Sequence, residues 1–208
     1  MDLDNNKQNG LLIVISGASG TGKGTVIKSL FETMPSLTFS VSATTRKPRL
    51  GETDGVNYHF MSRTEFEKEI AADGFLEYAD VYGGDYYGTL RREVDKNISV
   101  GKDVLLEIDT KGASEVMKKV PNGVFIFLLP PSKAELKKRL LGRGTEDEET
   151  VKKRLKAADA ELLCAEHYKY VVVNDEVANA VNKIAAIITA EHCTTERNKN
   201  ILDEVTKE

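Results

Sequence analysis

The chain has 208 residues, 40% of them hydrophobic and 30% charged, with a formal net charge of −4 at pH 7. This size and composition predict one globular core with at most a small inserted subdomain, exclude a largely disordered chain, and argue against broad nucleic-acid binding. The apolar runs 11–15 and 124–129 are too short to span a bilayer, and the first ten residues do not resemble a signal peptide. The two cysteines indicate neither a disulfide framework nor a metal site. We therefore expect a cytoplasmic protein without a membrane partner.

The first informative element is an apolar run at 11–15 followed directly by the glycine-rich segment GASGTGKGT at 17–25. A short strand, then glycines, then a helix is the context of a phosphate-binding loop, in which backbone N–H groups surround an anion at a helix N-terminus. Lys23 adds a charge for the β- and γ-phosphates. Gly24 stands where the common form of the motif has a hydroxyl, which comes one place later at Thr25. The GKGT ending is similar to that of nucleoside monophosphate kinases.

The next segment with recognisable chemistry is SVSATTRKPRLGETDGVNY at 40–58. Arg46 and Arg49 present planar donor groups suited to phosphate oxygens, Pro48 stiffens the turn between them, and Tyr58 supplies a hydroxyl. The alternative is an ordinary surface turn with incidental arginines.

Residues 43–90 differ from the rest of the chain, because they hold five of the seven tyrosines and short strand-like pieces at 56–60 and 75–78. They predict an inserted, mostly β subdomain. A capping box at Thr64-x-x-Glu67 predicts the start of a helix within it, and two more boxes, at Ser132-x-x-Glu135 and Thr145-x-x-Glu148, predict helix starts in the second half of the chain.

Two carboxylates, Glu107 and Asp109, interrupt the end of an apolar run that begins at Val104. Because an unpaired buried carboxylate is costly, we expect them to face a ligand, a cation or an arginine. Capping of the following helix is the alternative for Asp109.

Positive charge is concentrated at 46–49 and again at 133–156. Two basic clusters on an acidic protein fit two small phosphorylated ligands better than one polyanion. Solvated helix faces are the alternative for most of these lysines.

The fold class follows from the alternation of helical patterns with short β-branched runs. It predicts a three-layer α/β/α arrangement with a five-stranded parallel sheet, whose ligands collect at the carboxyl ends of the strands. The five runs expected to form this sheet are Leu11–Ile15, Leu37–Val41, Val104–Ile108, Val124–Leu129 and Tyr170–Val173.

Taken in order, these motifs resemble those of guanylate kinases of bacterial type. The match rests on GASGTGKGT, SVSATTRKPR-x-GE, FLEYA with Tyr86-Tyr87-Gly88-Thr89, EID-x-x-G, RLLGRGTEDEE with Arg154, and Val173-Asn174-Asp175. The resemblance implies a kinase domain at 11–190, made of a core (11–42 and 91–190), a GMP-binding subdomain (about 43–90) and a mobile lid (about 139–156). Residues 1–10 would then be a flexible N-terminus and 191–208 a polar tail.

The resemblance also implies the reaction, transfer of phosphate from MgATP to GMP, and a role for each matching residue. The residues implied to bind ATP are Gly17, Ala18, Ser19, Gly20, Thr21, Gly22, Lys23, Gly24, Thr25 and Asn174. Those implied to bind GMP are Ser42, Arg46, Arg49, Glu52, Tyr58, Glu77, Tyr87, Thr89 and Asp109. Those implied to be catalytic are Lys23, Arg46, Arg139, Arg143 and Arg154. Mg²⁺ is expected to bind mainly through phosphates and water, with Thr25 close by.

Several points stay open at this stage. Asn174 is alternatively a simple turn residue, the arginines of the lid are alternatively surface charges, and an extra residue before the tyrosine pair leaves the choice between Tyr86 and Tyr87 undecided. Thr110-Lys111 stands where relatives often carry a bulky residue and Gln. The competing functions are a non-catalytic guanylate-kinase-like module of scaffold proteins and a kinase for AMP or UMP. Oligomeric state and preference between GMP and dGMP do not follow from the sequence.

Overall fold

A computed structural model describes residues 8–81, 84–141 and 148–207, without the side chains of 148–153. Its larger sheet has five strands, and every neighbouring pair is parallel. In spatial order they are β2 (Thr38–Phe39), β7 (Val104–Glu107), β1 (Leu12–Ser16), β8 (Val124–Leu129) and β9 (Tyr170–Val173). The predicted five-stranded parallel sheet is therefore confirmed. The edge strand β2 is shorter than the predicted run, since only Thr38 and Phe39 pair with β7.

Alternate residues of the central strand β1 feed two hydrophobic clusters on opposite faces of the sheet. Ile13 and Ile15 pack into the cluster that contains helices α1 (Lys23–Thr33) and α7 (Val177–His192). Leu12 and Val14 pack into the cluster that contains α3 (Arg91–Ser99) and α4 (Thr110–Lys119). All five residues of β1 are buried, as expected for the centre of a parallel sheet covered on both faces.

A second, smaller sheet forms within 43–90, where the sequence predicted a mostly β subdomain. Its four strands, in spatial order, are β4 (His59–Phe60), β3 (Ala43–Thr44), β6 (Asp85–Leu90) and β5 (Phe75–Val81). The ring of Phe66, from helix α2 (Arg63–Ala71), stacks on Phe75 at 4.2 Å between centroids. The predicted strand 56–60 is wrong at its start, because residues 53–57 form a turn with Gly55 at φ 71°.

Of the three predicted capping boxes, one lies two residues from the observed box, one is confirmed as an N-cap and one lies outside the described residues. Helix α2 begins two residues before the predicted Thr64 box, because Ser62 and Glu65 exchange side-chain and backbone hydrogen bonds reciprocally. Ser132 caps helix α5 (Lys133–Leu141) as predicted, accepting from the backbone N–H of Glu135 at 3.1 Å. Thr145 lies outside the described residues.

The remaining elements lie before and after β9 in the chain. Helix α6 (Glu148–Leu163) continues into a 3-10 helix at Cys164–His167. The polar segment 191–208 contains a helix that was not predicted, α8 (Lys199–Thr206), and Asn198 before it donates to the carbonyl of His192. Within the described ranges, no helix combines the length and the apolar character needed to cross a membrane.

Candidate active site

The glycine-rich segment forms a turn between β1 and α1, as predicted. Gly20 and Gly22 adopt φ values of 88° and 89°, which residues with a side chain rarely adopt. A Cβ on Gly17 would lie 2.5 Å from the carbonyl oxygen of Leu128, so that position also requires glycine. The Thr21 hydroxyl donates to the Ala18 carbonyl at 2.8 Å and closes the turn. The backbone N–H groups that follow are thus set around the start of a helix, the geometry that holds phosphate.

Lys23, the first residue of α1, lies at the mouth of this loop. Its ammonium group donates to the carbonyl of Gly17 at 2.5 Å. Burial lowers the pKa of Lys23, while the carboxylates of Glu107, Glu161 and Asp109 act in the opposite direction. The ammonium group therefore stands between the phosphate loop and the acidic end of β7, within the field of both.

Helix α6 contacts the outer side of the same loop. The guanidinium of Arg154 donates to the Ser19 hydroxyl at 3.0 Å, and Glu161 accepts from the Ser19 backbone N–H at 3.1 Å. The structure thus brings Arg154 to the loop. Arg143 lies outside the described residues.

Arg139 and Asn174 meet at the carbonyl of Thr21. Asn174 donates to it at 2.7 Å and Arg139 at 3.4 Å, while Arg139 also donates to the Asn174 carbonyl at 3.3 Å. Asn174 is only 3% exposed. Its amide donor is therefore used to hold the phosphate loop, and its implied contact with adenine stays a prediction.

The arginine-rich turn of the smaller sheet holds Arg46 in a fixed orientation. The guanidinium makes a bidentate pair with Glu52, at 2.9 and 3.0 Å, and donates to the hydroxyl of Tyr87 at 3.1 Å. Its centre also lies 5.3 Å from the ring centroid of Tyr58. Arg46 and three other residues implied to bind GMP, namely Glu52, Tyr58 and Tyr87, therefore meet at one guanidinium.

Glu52 serves this turn as an internal counterion. One of its carboxylate oxygens also accepts from the backbone N–H of Arg49 at 2.7 Å, and these bonds, led by that from Arg46, lower the pKa of Glu52. A carboxylate that faced the phosphate of a ligand would repel it. The contribution of Glu52 is therefore to orient Arg46 and the turn. The Arg49 side chain is exposed.

The register of the small sheet places the two tyrosines on opposite faces. Tyr87 pairs with Thr44 and directs its hydroxyl to Arg46. Tyr86 stacks on Phe66 at 5.1 Å and accepts from Arg63. The structure thus puts Tyr87 beside the arginine turn and Tyr86 in the packing of the subdomain.

A cleft of about 810 Å³ lies between the small sheet and the carboxyl end of β7. Ser42, Glu77, Tyr87 and Asp109 line it, so the structure brings together residues from distant parts of the chain that were implied to bind one ligand. Glu107, which the sequence predicted to face a ligand, a cation or an arginine, also lines the cleft. Cys164, His167 and Tyr168 line it as well and were not predicted.

Glu77 is the half-buried carboxylate of this cleft. Desolvation raises its pKa, with a contribution in the same direction from Asp109, while a 2.6 Å hydrogen bond from the Thr89 hydroxyl acts against it. Thr89 is 1% exposed, and its hydroxyl is directed at Glu77. Thr89 therefore orients the carboxylate from behind, and a direct contact of its hydroxyl with a base stays a prediction.

Asp109 combines both roles considered for it. It is the N-cap of α4, where one carboxylate oxygen accepts from the backbone N–H of Gly112 at 2.8 Å, and it also lines the cleft. Glu107, two residues earlier, is exposed in the same cleft. The sequence feature that pointed to both residues was a pair of carboxylates at the end of an apolar run.

Some of the missed residues had no such signal. Glu161 lies in an amphipathic helix, where a carboxylate is typical of a solvated face. Tyr168 follows the 3-10 helix, a segment without a motif, and burial raises its pKa to about 12.

The residues present are compatible with Mg²⁺ bound together with a nucleotide. Among the described residues no three His, Cys, Asp or Glu side chains form a cluster that could hold a metal alone. Thr25, exposed in the first turn of α1, and the carboxylates of Glu107 and Asp109 are oxygen donors. Mg²⁺ prefers such ligands and commonly retains waters while binding substrate phosphates, so this donor set fits it.

The comparisons with known proteins agree along the whole domain. The family model described as guanylate kinase matches residues 9–191. A curated guanylate kinase of Caldanaerobacter subterraneus subsp. tengcongensis is 54% identical over 202 residues, 97% of this chain and 98% of the relative. That of Halalkalibacterium halodurans is 53% identical, over 92% of this chain and 93% of the relative. The crystal structure of guanylate kinase from Anaplasma phagocytophilum superposes with a TM-score of 0.69 at 34% identity, covering 92% of this chain and 90% of that one. The chain therefore belongs to the guanylate kinase family.

Proposed function

We propose that the protein transfers the γ-phosphoryl group of ATP to GMP, giving ADP and GDP, in cytoplasmic purine nucleotide metabolism. The observation that carries this proposal is the cleft itself, which is lined by two carboxylates, Glu77 and Asp109, and by Tyr87, whose hydroxyl accepts a hydrogen bond from Arg46. A purine with hydrogen-bond donors and a phosphate would satisfy both ends of it. Family membership supports the same reaction.

In this proposal the phosphate loop and the lid bind the donor nucleotide. Backbone N–H groups of the loop hold its phosphates, and the Lys23 ammonium neutralises charge on the group that moves. Arg139 and Arg154 already contact the loop, and Arg143 joins them by its motif. Phosphoryl transfer needs positioning and charge neutralisation more than covalent chemistry, which is what a lysine and arginines supply.

The arginine turn binds the acceptor phosphate. Arg46, Arg49, Tyr58 and Tyr87 provide donors, and Glu52 keeps Arg46 oriented before the ligand arrives. A preformed clamp reduces the entropy lost on binding.

The carboxylate end of the cleft reads the base. Guanine has an N1–H and a 2-amino group, which can donate hydrogen bonds to the carboxylates of Glu77 and Asp109. Adenine has neither of these two donors. Binding adenine would cover these two acceptors and leave them unpaired, and a site built on such hydrogen bonds rejects the wrong analogue by roughly 10⁴-fold. Ser42 faces the same cleft, and no residue of the site singles out the ribose 2′-hydroxyl, so dGMP is expected to be accepted as well.

Mg²⁺ bound with ATP would neutralise charge on the phosphate oxygens, held mainly by those oxygens and water, with Thr25 as a further oxygen ligand. The intact phosphate loop argues against a non-catalytic scaffold module, because its glycines keep their required conformations and Lys23 is in place.

Product analysis tests this proposal directly. Incubation with MgATP and GMP should yield ADP and GDP in equal amounts, with little ADP when GMP is omitted, and dGMP should give dGDP. Release of ADP and inorganic phosphate without GDP would show an ATPase and overturn the proposal. Removal of Mg²⁺ by a chelator should abolish turnover.

A further inference from the structure

Gly112, in the first turn of α4, lies between the two carboxylates of the cleft. It is buried and lines the cleft itself. A Cβ built on Gly112 would stand 3.1 Å from Oε2 of Glu77, 3.4 Å from Cγ of Glu77 and 3.5 Å from Oδ1 of Asp109. The first of these distances is tighter than most contacts of real Cβ atoms, so a side chain here would press on the Glu77 carboxylate.

Glu77 has little freedom to retreat from such pressure. Its other carboxylate oxygen, Oε1, accepts from the buried Thr89 hydroxyl at 2.6 Å. A shift of a few tenths of an ångström would therefore strain this bond or rotate the carboxylate within the cleft. Desolvation already raises the pKa of Glu77, so this carboxylate depends on its few hydrogen bonds.

The backbone of Gly112 acts on the second carboxylate. Its N–H donates to Oδ1 of Asp109 at 2.8 Å, which fixes the orientation of that side chain at the N-cap. One residue thus holds Asp109 by its N–H and makes room for Glu77 by having no side chain. Glycine disfavours helix relative to alanine, so helix formation does not explain its presence here.

We infer that Gly112 is a specificity-determining positioning residue: the space left by its missing Cβ lets Glu77 and Asp109 converge on the 2-amino group of guanine. This inference rests on the proposed reading of the base by these two carboxylates. It predicts that a methyl group at this position affects guanine more than hypoxanthine, because hypoxanthine retains N1–H but has no 2-amino group.

The test compares binding of GMP and IMP to wild type, Gly112→Ala and Ala113→Gly by isothermal titration calorimetry, with Tm measured for each. Gly112→Ala should weaken GMP about tenfold, weaken IMP by no more than about twofold, and leave Tm unchanged or higher. Ala113, also buried in α4 but absent from the cleft lining, provides the matched control. Its glycine variant should lower Tm and leave the ratio of GMP to IMP affinity unchanged.

A double-mutant cycle with Glu77→Gln tests whether Gly112 acts through Glu77. The effect of Gly112→Ala on GMP binding should shrink in the Glu77→Gln background, since interacting residues are not additive. Equal weakening of GMP and IMP, unchanged GMP binding, or full additivity would overturn the inference. If Glu77→Gln by itself leaves GMP binding unchanged, the proposed reading of the base fails instead, and the two failures are therefore distinguishable.

Discussion

At the scale of single residues, several side chains of the site contact other side chains or the backbone and fix their orientation. Glu52 orients Arg46, Thr89 orients Glu77, and Asn174 holds the loop through the Thr21 carbonyl. Motifs identify such residues as members of a site, but not as direct or indirect contacts, because that distinction depends on which way a side chain points.

Arg46 is expected to be the main binding group for the acceptor phosphate. Arg46→Ala should raise the KM for GMP by about 10- to 150-fold, the usual worth of a charged hydrogen bond, and leave the KM for ATP nearly unchanged. Lys47→Ala is the matched control, because it removes an exposed positive charge from the same turn. Steady-state kinetics with either substrate varied would measure both constants. Equal effects of the two substitutions would contradict a specific clamp.

The affinity for GMP should fall at acid pH, because Glu77 must be ionised to accept a hydrogen bond from guanine. Burial raises its pKa above the ordinary value of 4.5. The ionised form accepts from guanine, so its contribution to binding is complete above the raised pKa and is lost as the pH falls through it. GMP affinity of wild type relative to Glu77→Gln, measured from pH 8 downwards to about 4.5, should therefore decline on the acid side, because titration of the GMP phosphate affects both proteins alike. A ratio independent of pH would contradict this assignment.

At the scale of elements, the alternation of helical patterns with short β-branched runs predicted the five strands of the large sheet, and β1 and β8 are indeed continuous apolar runs. The same reasoning failed where local hydrogen bonds decide the outcome. Two overlapping patterns, Ser62-x-x-Glu65 and Thr64-x-x-Glu67, both suit a capping box, and only the geometry of the entering chain selects Ser62. Helix α8 was missed, since its apolar residues Ile201, Leu202 and Val205 are exposed and a short polar sequence resembles a tail.

The capping assignment for α2 is testable by stability alone. Ser62→Ala should lower the free energy of unfolding by about 1 kcal/mol, since it removes the N-cap hydrogen bond. Thr64→Ala, at the position predicted from the sequence, should have a much smaller effect because it lies inside the helix. Urea unfolding would measure both values. The reverse order of effects would contradict the observed start of α2.

At the scale of the whole molecule, the fold distributes the two proposed anion sites over two sheets, and one cleft lies between the small sheet and the end of β7. The large parallel sheet carries the phosphate loop and the acidic end of β7, and the small sheet carries the arginine turn and Glu77. The sequence predicted both sheets, and Ser42, Glu77, Tyr87 and Asp109, which the motifs implied to bind one ligand, line one cleft. It could not predict which of Tyr86 and Tyr87 faces the cleft, because that depends on the register between β3 and β6.

The carboxylates of this cleft, Glu77 and Asp109, are proposed to select guanine. The most direct measurement is kcat/KM for GMP and for AMP with saturating MgATP, followed by release of ADP. We expect a preference for GMP of roughly 10⁴-fold, because a mismatched base would cover the two carboxylates and leave them unpaired. Comparable values for GMP and AMP would contradict it.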